Sequence, residues 1–224
     1  MANVARVNGF SPVKYLSGAP YNGAANMYAI PTTDTTASYA IGDVVQSAGG
    51  ADANGVPFVV KIPAASASSF AALGVIVGIS PVDATLTLQG TNLDLNQLYI
   101  PTGTRISVRY VWVADDPNLV FEVSAGITAT NFTLAKTRFN AGLGVVVAGA
   151  DAAYAINQTS LSNTSPQSNV ALASASVATT NTLPISMIGL VQRQDNEVGS
   201  LSRILCRFNR HELGVAGASN FTGL

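Results

Sequence analysis

Arg105-Ile106-Ser107-Val108-Arg109-Tyr110-Val111-Trp112-Val113 is the stretch on which the fold turns. Its side chains alternate with a period of two. Ile106, Val108, Tyr110 and Trp112 fall on one side of an extended chain, and Arg105, Ser107, Arg109, Val111 and Val113 on the other. The pattern predicts a half-buried strand with Trp112 on its core face. Ala114-Asp115-Asp116-Pro117-Asn118 follows with turn chemistry, Pro117 having no N–H to give to a ladder. Leu119, Phe121 and Val123 then resume the alternation against Val120 and Glu122, so a hairpin-like pair with a longer loop is expected.

The same grammar extends outward in both directions. Phe58, Val60 and Ile62 alternate with Val59 and Lys61, while Leu73–Ile79, Leu143–Val147 and Ile185–Val191 are continuous apolar runs. Ile204, Cys206 and Phe208 alternate with Arg203, Leu205 and Arg207. Gly, Pro and Asn punctuate these runs at intervals of about ten residues, the spacing of a sandwich or barrel. The expected class is all-β: an antiparallel, jelly-roll-like sandwich or barrel over residues 39–213, with little helix. No fixed-period repeat is visible, which disfavours a solenoid or propeller. Residues 157–183, rich in Ser, Thr, Asn and Ala, read either as an inserted polar excursion or as weakly amphipathic strands. Residues 214–224 read as a flexible Gly/Ala-rich tail.

Residues 1–38 carry Pro12, Pro20 and Pro31 with Phe10, Tyr15, Tyr21 and Tyr28 between them. Proline disfavours helix, yet the aromatics are too many for a disordered segment. An extended arm is expected, with Phe10, Tyr15, Tyr21 and Tyr28 docking on its own domain or, by preference, on a neighbouring subunit. Charge gathers between Arg193 and Glu212, where Arg203 and Arg207 suit bidentate pairing with a partner's carboxylates or an internal network.

Composition narrows the function. Only 10% of the 224 residues are charged, against roughly 25% in an average soluble domain. A surface so poor in charge suits extensive subunit contacts. The net charge is −1 and no basic stripe appears, which argues against nucleic acid as a partner. Cys206 is the only cysteine, leaving no intramolecular disulfide and no thiolate metal cluster. The opening residues lack a signal-peptide pattern and the most apolar window, Phe70–Ser80, falls short of a bilayer span. Synthesis in a host cytoplasm, with no membrane partner, is therefore expected.

Catalytic chemistry finds little to use. His211 is the only histidine, and no G-x-S-x-G element accompanies it. Asp115-Asp116 and Asp195-Asn196-Glu197 are the carboxylate clusters that a hard cation would need, but neither has EF-hand spacing. Gly142-Leu143-Gly144 lacks the further glycine and lysine of a phosphate loop. No enzyme, no cofactor and no metal are expected.

Several stretches together resemble a known group. The segment from Val7 to Gly23, with Asn8-Gly9-Phe10-Ser11-Pro12-Val13 inside it, the segment from Arg109 to Val123, Asp195-Asn196-Glu197, and Phe208-Asn209-Arg210-His211-Glu212 are similar to phrases of tailed-bacteriophage virion structural proteins. The resemblance implies a capsid decoration, or cement, protein on the outside of a phage head. Such a protein binds the major capsid protein and itself, commonly as a homotrimer. It implies no catalytic residue. A tail or fibre component that binds a receptor is the alternative within the same group.

Overall fold

The computed structural model describes residues 3, 7–64, 68–81, 99–105, 107–128, 132–147, 150–153, 159–160 and 167–214. The chain is all-β. In order the strands are β1 (Ser11–Tyr15), β2 (Asn26–Ile30), β3 (Tyr39–Ala40), β4 (Val44–Ala51), β5 (Pro57–Lys61), β6 (Gly74–Ile79), β7 (Tyr99–Ile100) and β8 (Arg109–Ala114). They continue as β9 (Leu119–Ser124), β10 (Asn140–Val147), β11 (Ala150–Ala153), β12 (Thr159–Ser160), β13 (Gln167–Ser168), β14 (Val170–Ala178), β15 (Ile185–Leu190) and β16 (Arg203–Phe208). A 3-10 turn, Leu134–Lys136, lies between β9 and β10.

Two bodies result. The first is a closed barrel in the order β2-β5-β4-β6-β8. Its interior is filled by Ile30, Val45, Val59, Ile76, Val111 and Val113, all fully buried. The second is a seven-stranded sheet, β1-β9-β16-β15-β10-β11, with β14 also pairing β10. This sheet curls until Ala125, just past β9, bridges Leu172 of β14 in parallel. Its concave side holds Phe121, Val123, Leu143, Leu172, Ile185, Met187 and Cys206.

The bodies share one apolar seam. Val44, Val75 and Ala114 of the barrel belong to the same cluster as Phe10, Phe121 and Phe208 of the sheet. The barrel is therefore apolar inside and also on the one flank that meets the sheet.

The predicted strand over 105–113 exists as Arg109–Ala114, but its faces are reversed. Val111 and Val113 point into the barrel, whereas Trp112 is 37% exposed. Close-packed β-branched side chains fill a five-stranded interior; an indole is left outside, over the bare backbone of Gly78. Ile106 lies outside the described residues.

The segment expected as an arm is instead part of both bodies. β1 is a strand of the sheet, antiparallel to β9, and β2 is a barrel stave antiparallel to β8. Pro12 and Pro20 are accommodated because β1 lies at an edge. There the chain folds back on itself: Tyr15 N–H donates to Ala19 O, Tyr21 N–H donates to Val13 O, and Lys14 bridges Pro20. Of the stretch 157–183, β14 is an integral strand with Val170, Ala171 and Leu172 buried, not a surface excursion. Residues 154–158 and 161–166, and the tail from 215, lie outside the described residues.

Candidate interaction surface

Among the described residues several charged side chains are spent inside the chain. Asp43 and Lys61 form a wholly buried ion pair, Oδ2 to Nζ 2.8 Å. The same carboxylate accepts Ala40 N–H at 2.8 Å and Ser168 Oγ–H at 2.7 Å, while the ammonium also donates to Ser38 O at 3.1 Å. Ser168 precedes β14, so this network ties the barrel to the sheet. Glu122 Oε1 takes Arg203 Nε at 2.7 Å and Arg193 Nη2 at 3.0 Å. The charge concentration from Arg193 onward is thus an intramolecular network in large part.

The side chains expected to face a partner fall as follows. Phe10 is 2% exposed, packed edge-on against Phe121 with centroids 6.2 Å apart and tilted on Phe208 at 5.7 Å. Arg203 is buried, paired with Glu122 and donating to Asn8 Oδ1 at 3.1 Å. Burial thus takes both from a partner: Phe10 docks within its own chain, and Arg203 joins the internal network. Aromatic bulk and an apolar slot drew Phe10 inward, and a carboxylate on the adjacent strand claimed Arg203. Tyr15, Tyr21 and Tyr28 are half-buried. Their hydroxyls donate to Asn22 Oδ1, Ala24 O and Asp115 Oδ2 at 3.3, 2.9 and 2.7 Å. Burial and the neighbouring Asp115 carboxylate hold the Tyr28 hydroxyl well above the usual phenol range. Arg207 is half-buried, and desolvation lowers its affinity for a proton.

The residues weighed for chemistry do turn work. Asp115 accepts both contacts of the Asn26 amide at 3.0 Å, and Asp116 Oδ1 accepts Asn118 N–H at 2.7 Å. Asn196 clamps its loop through Val191 O and the backbone of Arg203. His211 Nδ1 accepts Leu213 N–H at 3.1 Å. Burial pushes the His211 pKa down, and the Asp115 and Asp116 charges pull it partly back. Among the described residues no three His, Cys, Asp or Glu side chains gather as a metal site. Among them, too, no helix is long and apolar enough to cross a membrane. A broad depression of about 500 Å3 lies between Pro31, Asp34, Ala48, Phe58 and Pro63, open to solvent. Its carboxylate, Asp34, is engaged by the Tyr39 hydroxyl.

Exposed apolar side chains stand beside exposed polar ones such as Asp116, Arg193 and Glu212. Met27, 46% exposed, stands directly across the β2–β8 ladder from Trp112. Gly78 is the next neighbour of Trp112 on β6, and a Cβ there would lie 3.4 Å from the indole. Met27, Trp112 and the Gly78 backbone make a flat apolar platform on the barrel's outer wall. Val13 and Leu16, at the sheet edge, are also exposed. The alternation rule could not find this platform, because it places the larger apolar face inward. Compared with protein-family models, curated proteins and solved structures, the chain matches none.

Proposed function

We propose that the protein is a capsid decoration subunit, binding the outside of a phage head and holding neighbouring major capsid proteins together, as a homo-oligomer of the trimeric kind. One observation carries the reading. In a chain only 10% charged, key ionic groups are consumed internally at Asp43–Lys61 and Glu122–Arg203, and an aromatic platform is left outside. Such a surface is poor for a freely diffusing monomer and well suited to being covered. Exposed Trp with flanking Met is the composition of an interface anchor. Many copies on a shell convert modest single contacts into firm attachment. The opening and central stretches that resemble virion structural proteins agree with this role.

Trp112→Asp tests it on purified shells stripped of the protein. Occupancy at fixed concentration is expected to fall by about tenfold or more, the loss typical of an interface anchor, while the melting temperature stays near wild type. Wild-type protein that ignores such shells, with immunogold labelling on the tail, would overturn the assignment and favour a fibre or receptor-binding component.

A further inference from the structure

The two bodies share one plan of strand pairing. In the barrel, β2 touches β5 in parallel at Ala29–Phe58. From there β5 pairs β4, β4 pairs β6, β6 pairs β8 and β8 pairs β2, all antiparallel. In the sheet, β9 meets β14 in parallel at Ala125–Leu172. From there β14 pairs β10, β10 pairs β15, β15 pairs β16 and β16 pairs β9, again all antiparallel. Taken in chain order, the first strand of each set meets the third in parallel. The second lies between third and fourth, and the fifth closes on the first.

The agreement reaches single residues. The β6–β8 register slips between Ile76 and Gly78, and the β15–β16 register slips between Met187 and Gly189. Both slips span the third to fifth positions of a six-residue strand, GVIVGI in one and ISMIGL in the other. Aligning them sets Ile76 on Met187 and, through the ladders, Val113 on Cys206 and Val45 on Ala141. All six are buried.

From this we infer that the chain is built as two copies of one five-stranded unit, residues 26–115 and 121–208. The ladders then pair Asn26 with Phe121 and Asp115 with Phe208 as equivalent positions. In the second copy the two rings pack together, centroids 5.2 Å apart. In the first copy the Asn26 amide donates to both Asp115 oxygens at 3.0 Å. One slot thus holds an aromatic pair in one copy and a hydrogen-bonded polar pair in the other, both members having changed together. The second unit is plugged with Phe10, Phe121 and Phe208, and the first keeps a polar mouth.

A double-mutant cycle on the full-length chain tests the equivalence. Asn26→Phe leaves the Asp115 carboxylate to the Tyr28 hydroxyl with a ring beside it, and Asp115→Phe takes the acceptor from both the Asn26 amide and the Tyr28 hydroxyl, so each single variant is expected to melt lower than wild type. The double variant is expected to recover most of the loss, since the rings can meet as Phe121 and Phe208 do. A double variant that melts at the sum of the two losses, or lower, overturns the inference. A crystal structure of the unaltered protein decides the point without mutation. The two units should superpose strand for strand with Val113 on Cys206, and a pairing order that differs between them overturns the inference equally.

Discussion

Lys61 looks out of place in Phe58-Val59-Val60-Lys61-Ile62, and its surroundings explain why it stays. An ammonium and a carboxylate withdrawn from water persist only when each is paired and its remaining hydrogen-bonding capacity is met. Here Asp43 has Lys61, Ser168 and Ala40 N–H, and Lys61 has Asp43 and Ser38 O. Replacing Lys61 with Met leaves Asp43 charged and unpaired in the interior. Urea unfolding should register a loss of about 3–5 kcal/mol. Pairing Lys61→Met with Asp43→Asn should cost less than Lys61→Met alone, because no net charge then stays buried. Equal costs would mean that the pair stands free of its surroundings. Residue identity foreshadowed this site only weakly. A lysine on an apolar strand is ordinarily an outward-facing residue, and nothing local to Gly42-Asp43-Val44 names its partner eighteen positions on or Ser168 far beyond.

Strands were the most legible features, and faces the least. Period-two alternation located β8, β9 and β16 because a strand with one wet side needs it. It misassigned Trp112 because both faces of β8 carry apolar side chains: the narrow barrel takes the β-branched Val111 and Val113 inside and leaves the larger indole on the wet side. β14 was obscured by its Ala and Ser content, which fits beside Gly144 where bulkier side chains would not: a Cβ on Gly144 would already stand 3.0 Å from Ala173 Cα. The doubling of the five-stranded unit left no sequence period. Matched positions keep only burial, and the connections differ, β6 to β8 spanning 80–108 where β15 to β16 spans 191–202. At this scale a close joint is the crossing of Gly9 and Gly42, with φ of 71° and 94°. A Cβ on Gly42 would sit 2.3 Å from Asn8 O, and Phe10 N–H donates to Gly42 O at 2.9 Å. Gly42→Ala combines a left-handed backbone with a backbone clash and is expected to cost about 3 kcal/mol or more. A urea midpoint close to wild type would mean that the two loops can separate freely.

For the whole molecule, the shared seam decides cooperativity. Val44, Val75 and Ala114 reach across to Phe10 and Phe208, so neither body can open without exposing apolar surface on the other. Each body carries one natural reporter: Trp112, the only tryptophan, in the barrel, and Cys206, the only cysteine, in the sheet. Burial pushes the Cys206 thiol far above its ordinary pKa, so it reacts only once the sheet opens. Indole fluorescence and thiol labelling, followed through one urea titration, should therefore give coincident midpoints. Two separated transitions would show that the seam contributes little and that the bodies are independent.

The hairpin that turns back at Tyr15–Tyr21 closes one border of the sheet to strand addition. By engaging Val13 O and the Tyr15 N–H within the same chain, it denies a visiting strand the hydrogen bonds needed to prolong the sheet along that border. A protein with so little charge to keep its copies apart is thereby steered away from runaway fibril growth there, and any contact between copies along that border falls to side-chain faces.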